Sequence, residues 1–325
     1  ESLHFSLAGI QDLQNVTSTH QGLNGRLYNL GSKFGGNGIL LITDQKGNLI
    51  SSVTEINSVP IGQVYGFDMD SSDNVYIADY SNKKVYKLDS NGNYISGFDT
   101  SNFPLGIALK NPNEIYVSML GDGINKYDGS GNLLSNIATA SQTRYLYFDS
   151  SNNLLASSSA NVIYKFDSSG SLIQTIGTSG SGPQDLNDPF GLAEDQAGAI
   201  YVADLGNSRI QIFNPNGSFN STIPQKANDV NFDEAGYFYL AIGNYPVSGV
   251  QKYSPVPTYT NGDYSLTLND LNCGTTYHYR AFATNGDGSS DYGEDKTFTT
   301  GTCMAITTNP AGGAQPASAN LSGTI

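Results

Sequence analysis

Three histidines are the residues whose chemistry is most specific in this chain. His4 and His20 lie near the N-terminal end and His278 near the C-terminal end, outside the repeats described below. A catalytic zinc site needs three protein ligands, with histidine a usual nitrogen donor. An activated serine needs an adjacent base and the local sequence Gly-x-Ser-x-Gly, which is absent. The sequence therefore favours neither a zinc enzyme nor a serine hydrolase.

Short acidic motifs could bind calcium, because "DQKGN", "DSNGN", "DGSGN" and "DSSGS" place oxygen ligands at alternate positions. None carries the glutamate that completes a calcium loop, whereas an aspartate that braces a glycine-containing hairpin explains all four. We predict hairpin turns there. The stronger calcium candidate is "NGDGSSDYGED", with Asp287, Asp291 and Glu294, and we expect no other cofactor.

Four carboxylates are candidates for the paired acids of glycoside hydrolysis if they approach one face of the fold: Asp79, Glu114, Asp122 and Asp204. Asp79 and Asp204 follow the similar runs "VYIAD" and "IYVAD". Their shared position favours a structural role, in which each caps the loop after its strand. Both interpretations stay open from the sequence.

The composition indicates many short strands joined by turns. Among 325 residues there are 37 glycines and 21 tyrosines, and only 14% are charged. The net charge of -14, without a basic cluster, argues against nucleic acid and anionic membranes as partners. The sequence has no run of about 18 apolar residues, so we expect no membrane insertion.

A repeat of about 40 residues is the strongest pattern. The copies "NVYIADYSNKKVYKLDSNGNYISGF", "EIYVSMLGDGINKYDGSGNLLSNI", "NLLASSSANVIYKFDSSGSLIQTI" and "AIYVADLGNSRIQIFNPNGSFNSTI" align on their turn glycines, and weaker copies precede and follow them. Six copies with three or four β-rich runs each predict the blades of a propeller.

At residues 188–217, "DPFGLAEDQAGAIYVADLGNSRIQIFNPNG" resembles the NHL repeat, and the resemblance extends over residues 26–254. It implies a six-bladed β-propeller that serves as an interaction platform, although some relatives are lyases. Residues 1–25 are predicted to be an N-terminal segment, and "LHFSLAGI" within it is the candidate strand that closes the ring. We predict it to span residues 3–10, beside "GVQKYS".

Residues 255–302 resemble half of a fibronectin type III module of the bacterial surface-protein kind. The resemblance lies in Leu271, Gly274, Thr275 and Tyr277, arranged as a tyrosine corner, and in "YRAFATN", "YGE" and "FTT". Residues 303–325 resemble the start of a further module. Because "ANLSGTI" alternates in polarity, we expect an unpaired edge there, whose missing strands come from chain beyond Ile325 or from a neighbouring subunit. The second source would give self-association into a fibre.

The two cysteines, Cys273 and Cys303, flank this half-module. A disulfide between them would suit an oxidising compartment, and two buried thiols are the alternative. The first residue is Glu1, which we interpret as the start of a mature or excised segment. Glycosylation sequons occur at Asn15, Asn216, Asn220 and Asn320. We therefore expect a secreted, extracellular or cell-surface protein.

Three functions fit these patterns: an extracellular binding or adhesion protein, a structural subunit of an extracellular fibre, and a propeller enzyme such as a lyase or glycan hydrolase. We favour the non-catalytic functions. Loops after the second strand of each blade converge on one face, where they would bind a protein or glycan. The candidate ligand-binding residues there are Tyr80, Asn82, Asp204, Asn207, Asn244 and Tyr245.

Overall fold

A computed structural model describes residues 2–6, 13–33, 36–243, 249–253, 263–279, 282–284, 290–292, 294–301 and 317–324. The chain divides into two units, Glu1–Pro255 and Val256–Ile325. Apart from the single-turn helix Leu205–Asn207, the described secondary structure consists of β-strands. This confirms the all-β fold class.

The first unit is a six-bladed propeller, which confirms the prediction from the repeats. Each blade is a four-stranded antiparallel sheet. From the innermost to the outermost strand, blade 1 contains Leu13–Gln21, Leu27–Lys33, Gly38–Thr43 and Leu49–Val53; blade 2 Val64–Met69, Val75–Asp79, Lys84–Leu88 and Tyr94–Asp99; blade 3 Pro104–Asn111, Glu114–Met119, Gly123–Tyr127 and Leu133–Ile137; blade 4 Thr143–Phe148, Leu154–Ser158, Ile163–Phe166 and Leu172–Ile176; blade 5 Pro189–Glu194, Ile200–Asp204, Arg209–Phe213 and Phe219–Ile223; and blade 6 Asp229–Phe232, Phe238–Ile242, Gly249–Tyr253 and Ser2–Ser6. Two short ladders lie between blades: Glu55–Ile56 with Val59–Pro60, and Thr178–Ser179 with Asp185–Leu186.

Blade 6 combines strands from both ends of the propeller. Ser2–Ser6 pairs antiparallel with Gly249–Tyr253, in the place where the sequence lacks an outer strand. Residues 7–10 of the predicted closing strand lie outside the described residues. The pairing leaves the last blade with four strands like the others.

Blade 1 begins before residue 26, where the repeat resemblance begins. Its innermost strand is Leu13–Gln21, so His20 belongs to a blade, and the interpretation that the repeats contain no histidine is wrong. The sequence of this strand, "LQNVTSTHQ", is polar and lacks the glycine that marks most of the other inner strands. Its neighbours in the sheet, rather than its own pattern, define it as part of a blade.

The core lies between adjacent blades. Val75–Asp79 is buried along its whole length, and Ile77 packs in one cluster with Leu40 and Ile42 of blade 1. Each such side chain stabilises the fold by about 1.5–3 kcal/mol relative to an exposed one. The outermost strands face solvent, and Leu133 and Leu134 remain more than half exposed. Apolar burial therefore fixes the inner three strands and positions the innermost strands around the axis.

The described residues of the second unit form three antiparallel strand pairs. They are Asp263–Leu271 with Ala317–Thr324, Thr276–Tyr279 with Lys296–Thr299, and Phe282–Thr284 with Ser290–Tyr292. The hydroxyl oxygen of Tyr277 accepts a 2.8 Å hydrogen bond from the backbone N–H of Asn272, which is the contact of a tyrosine corner. The fibronectin type III-like assignment of the unit, with its boundaries, stays a prediction.

Ala317–Thr324 includes most of the segment that we expected to form an unpaired edge. It pairs instead with Asp263–Leu271 of the same chain. Cys303 lies outside the described residues, so the Cys273–Cys303 disulfide stays a prediction. Within the described part of the chain, no helix is long and apolar enough to cross a membrane.

Candidate functional site

The innermost strands surround a channel along the propeller axis. One repeat position recurs on each of these strands. It comes immediately before a residue that pairs with the second strand, as Gly66 comes before Phe67, which pairs with Ile77. Its six occupants are Ser18, Gly66, Gly106, Tyr145, Gly191 and Asp229. Three glycines thus leave space that one tyrosine enters from blade 4.

Two of the three glycines are required by the close approach of neighbouring blades. A Cβ atom at Gly106 would lie 2.0 Å from the carbonyl oxygen of Arg144, and one at Gly191 would lie 2.2 Å from Oδ1 of Asp229. A Cβ atom at Gly66 would only touch the ring of Tyr145, at 3.6 Å. Glycine at this position therefore brings the inner strands close together around the ring of Tyr145.

Tyr145 spans the axis and binds a buried carboxylate on the far side. Its hydroxyl donates a 2.8 Å hydrogen bond to Oδ2 of Asp229, which also accepts a 2.6 Å bond from the Ser18 hydroxyl. The backbone N–H of Thr19 lies 3.3 Å from the same oxygen. Burial raises the pKa of Asp229 to about 7 despite these donors. The network links blades 1, 4 and 6 across the centre of the ring.

Tyr145 lines a cavity on either side of this network. One cavity lies on the face that carries the turns between the second and third strands of the blades, and we call it the upper cavity. The lower cavity is on the face that carries the turns between first and second strands. The tyrosine ring and its carboxylate partner thus divide the channel.

The upper cavity has a volume of about 380 Å³ and aromatic walls. Tyr65 and Tyr80 meet edge to face with ring centroids 5.5 Å apart, and Tyr80 stacks on Phe103 at 4.8 Å. Phe103 supports Tyr80 from behind, and the residues that line the cavity together with Tyr65 and Tyr80 are Leu105, Leu120, Gln142, Arg144, Tyr145 and Phe190. Rigid aromatic surface of this kind suits the apolar face of a ligand.

The polar side chains of the upper cavity differ in how many of their hydrogen-bonding groups are already bound to other protein groups. The Gln142 amide donates to the carbonyl oxygens of Met119 and Thr143, and its oxygen accepts from the Gly121 N–H. Arg144 forms an ion pair with Asp188 and stays about one-third exposed. Arg144 therefore supplies the charged group that remains accessible to a ligand.

A second, more polar groove of about 610 Å³ begins at Tyr65 and lies between blades 1 and 2 on the same face. Its lining is uncharged and includes Asn15, Asn37, Gln63 and Asn82. Because Tyr65 lines both, the aromatic cavity and the amide-rich groove adjoin. Together they offer ring faces and neutral hydrogen-bonding groups to one ligand.

The lower cavity has a volume of about 210 Å³, and its lining includes the titratable groups of His20 and Asp68. Nδ1 of His20 lies 3.9 Å from Oδ1 of Asp68, which is too far for a direct hydrogen bond. Burial lowers the pKa of His20 to about 4 and raises the pKa of Asp68 to about 6. The charged forms of both groups are therefore disfavoured inside the propeller.

The predicted ligand-binding residues are distributed unevenly. Tyr80 lines the upper cavity and Asn82 the adjoining groove. The amide of Asn82 donates to Pro60 and Asp79, and that of Asn207 donates to Gly180 and Asp204. These two asparagines therefore connect a loop to the segment that lies between its own blade and the preceding one. Asn244 and Tyr245 lie outside the described residues.

Asp79 and Asp204 are fully buried caps. Asp79 accepts hydrogen bonds from the backbone of Gly62 and Asn82, while Asp204 accepts from Asn187 and from Nε of Arg209. This confirms the structural interpretation of their shared repeat position. Neither carboxylate is accessible to a substrate.

Glu114 and Asp122 complete the four predicted carboxylates. Glu114 begins a second strand, on the face opposite Asp79, and forms ion pairs with Lys110 and Lys126. Asp122 is exposed in a turn on the upper face. The expectation that all four carboxylates approach one face is wrong, because Glu114 and Asp79 lie at opposite ends of their strands.

The acidic turn motifs form braced hairpins, as predicted. In each, the aspartate Oδ1 accepts hydrogen bonds from the backbone N–H groups two and four residues later; the four aspartates are Asp44, Asp89, Asp128 and Asp167. In two of them, a hydrogen bond from Asn48 or Asn132 lowers the aspartate pKa. The carboxylates are therefore already satisfied by the turn.

The C-terminal calcium candidate stays a prediction. Asp287 lies outside the described residues, and the side chain of Asp291 is likewise not described, while Glu294 is exposed. Among the residues that the structure describes, no group of three or more His, Cys, Asp or Glu side chains could hold a metal ion. His278 contacts Asp295 on the surface at 2.8 Å.

The sequons occupy different environments. Asn216 and Asn220 are exposed near the outer edge of blade 5. Asn15 is partly buried, and its oxygen accepts a 2.9 Å hydrogen bond from Asn228. Asn320 lies in the strand Ala317–Thr324. Asn216 and Asn220 are therefore the sequons whose side chains a glycosylating enzyme could reach most easily. Glycosylation itself stays a prediction.

Comparison with known proteins identifies a repeat and a fold. Residues 186–213 match the NHL repeat. No curated protein matches the chain. Three similar solved structures are a streptogramin B lyase (15% identity, TM-score 0.57, covering 78% of this chain and 96% of that one), virginiamycin B lyase from Staphylococcus aureus bound to quinupristin (11%, 0.57, 79% and 89%) and a protein of unknown function from Bacteroides thetaiotaomicron (13%, 0.60, 78% and 75%). At these identities the likeness concerns the fold alone.

Proposed function

We propose that this chain is the ligand-binding part of an extracellular surface protein. The propeller is the interaction platform, and the fibronectin type III-like strands belong to a stalk. The observation that carries the proposal is the upper cavity, whose aromatic walls adjoin a groove of neutral amides on the face where the loops converge. Such a surface suits a glycan or an uncharged peptide segment.

The placement of the protein outside the cell rests on composition. The chain is acidic, has few charged residues and contains two cysteines flanking one short stretch. Its net charge of -14 keeps the surface soluble and repels other anions, so an uncharged ligand meets no electrostatic barrier. Adhesion through the upper face is therefore compatible with the rest of the molecule.

Binding of the native chain to arrays of neutral oligosaccharides and of short peptides tests the proposal. Tyr80→Ala removes one ring of the aromatic wall and should weaken any binding found by about tenfold or more, since a stacked ring contributes roughly 1–2 kcal/mol. Tyr94→Ala is the matched control, because Tyr94 is 43% exposed on an outermost strand. Equal binding by Tyr80→Ala and the native chain would contradict the proposal.

A propeller enzyme, a lyase or glycan hydrolase, is the second candidate. Titratable groups with shifted pKa values converge in the channel, as they do in many active sites. Asp229 is sealed by its donors, so catalysis would depend on Asp68 and His20. Release of reducing sugar from the bound oligosaccharides, abolished by His20→Gln, would support this function.

A further inference from the structure

Asp68 is a carboxylate that the fold holds inside the lower cavity without a cation. Its oxygens accept 2.7 Å hydrogen bonds from the backbone N–H groups of Met69 and Leu109. The side chain is 24% exposed, and that of the neighbouring His20 is 16% exposed. Each oxygen thus keeps acceptor capacity that is open to a small molecule.

The surroundings of Asp68 do not neutralise its charge. Among the described residues, no lysine or arginine forms an ion pair with it, and His20 is a neutral imidazole at neutral pH. Buried charges in proteins are normally paired, because desolvation of a lone carboxylate is costly. Buried Asp149 and Asp204 have the cationic partners Lys165 and Arg209. Buried Asp79 and Asp229 have no such partner in the described part of the chain and are satisfied by hydrogen-bond donors.

The walls around this carboxylate are aromatic and apolar. Phe67, Tyr145, Tyr147 and Phe148 line the cavity together with aliphatic side chains. Aromatic faces attract an organic cation, and the attraction grows when the cation is desolvated. The volume of about 210 Å³ exceeds the ~150 Å³ cavity that accommodates benzene in another protein.

We propose that the lower cavity is a binding site for a small organic ammonium ion with an apolar body. The ammonium group donates hydrogen bonds to Asp68 and to Nδ1 of His20, and the body contacts the aromatic walls. The net charge of -14 favours the approach of a cation to the open face. The site is independent of the proposed binding function, because the network of Tyr145 and Asp229 separates it from the upper cavity, and it uses the same Asp68 and His20 as the second candidate function.

Calorimetric titration of the full chain with three probes of one shape tests the charge that the site selects. The probes are benzylammonium, benzyl alcohol and benzoate at neutral pH. We expect benzylammonium to bind at least about tenfold more tightly than benzyl alcohol, as for a hydrogen bond to a charged group. We expect no binding of benzoate. Equal affinity for benzylammonium and benzyl alcohol, or no binding of benzylammonium, would overturn the proposal.

Two variants locate the site. Asp68→Asn should abolish the preference for the cation. Since this change also alters the hydrogen bonds with Met69 and Leu109, Asn231→Phe provides a second measurement: Asn231 lines the cavity, and a larger ring there should exclude the probe. Asn216→Phe is the matched control at an exposed turn. Benzylammonium binding that survives both Asp68→Asn and Asn231→Phe would show a different site and refute the proposal.

Discussion

The upper and lower cavities belong to one channel and share the inner strands of blades 2, 3 and 4, yet their chemistry is opposite. The upper cavity presents Arg144, whose guanidinium is paired with Asp188. The lower cavity presents Asp68, two residues after Gly66, and no cation pairs with it among the described residues. The repeat thus fixes where side chains face the channel, and residues that differ between the repeats give each cavity its charged group.

The boundary between the two cavities is also a departure from the repeat. Where blades 2, 3 and 5 have glycine, blade 4 has Tyr145, and its ring and hydroxyl occupy the axis. A glycine at that position would connect the cavities and leave Asp229 with fewer donors. The following changes test whether this single side chain keeps the cavities apart.

Tyr145→Ala has the largest expected effect. It removes a buried ring and one donor to Asp229, and such substitutions cost about 3–5 kcal/mol. We expect urea unfolding to show a loss of this size and a crystal structure to show one continuous channel. Tyr94→Ala, at an exposed position, should change the free energy of unfolding by less than about 0.5 kcal/mol. A stable variant with two separate cavities would contradict the role of Tyr145.

Asp229 should make stability depend on pH. Its pKa is raised in the folded state to about 7, above the ordinary 3.8, so its contribution is most favourable at low pH and is lost as pH rises towards 7. Asp68 also has a raised pKa, so its contribution to stability likewise decreases as the pH rises towards about 6. His20, with its lowered pKa, acts in the opposite direction and costs stability as pH falls from about 6.5 to 4.

The Asp229 effect can be isolated by comparing the native chain with Asp229→Asn. In the native chain, titration of Asp229 should lower the free energy of unfolding by up to about 1.4 kcal/mol per pH unit between pH 4 and 7. The free energy of unfolding of the asparagine variant should lack this contribution to its pH dependence and keep the contributions of Asp68 and His20. Urea unfolding at a series of pH values measures both slopes, and parallel curves would show that Asp229 does not titrate in this range.

Tyr145→Phe has the smallest expected effect, because it keeps the ring and removes the hydroxyl. Asp229 then retains the Ser18 donor, and we expect a loss of about 1–2 kcal/mol. The cavities should stay separate, so the benzylammonium affinity of the lower cavity should stay within about twofold of the native value. Loss of that affinity would indicate that the hydroxyl, and not the ring, shapes the lower cavity.

The sequence predicts the blades and the braced turns well, because each depends on local patterns that recur. Alternating apolar runs define the strands, and aspartate followed by glycine defines hairpins such as Asp89 to Asn93. The caps at Asp79 and Asp204 were predictable for the same reason. A hydrogen bond that stays within one repeat can be predicted from the sequence of one copy, and the same residues at the same positions in the next copy support that prediction.

The channel was less predictable, since it combines one residue from each blade. Tyr80 was predicted from its loop, but Tyr145, Asp229 and His20 were not identified as neighbours. A signal was present: aligning "YGFD", "LGIA" and "FGLA" with "RYLY" places Tyr145 at a glycine position. His20 gave no such signal, because blade 1 begins with a polar strand that lacks the repeat pattern.

The pairing of Ser2–Ser6 with Gly249–Tyr253 has a consequence for the order in which the molecule is made. These partners are separated by nearly the whole propeller sequence, and contacts of such long range form late and slowly in folding. During synthesis the ring cannot close until residue 253 has left the ribosome. Until then the nascent chain keeps an open strand edge, so a chaperone or a delayed release would protect it from association with its neighbours.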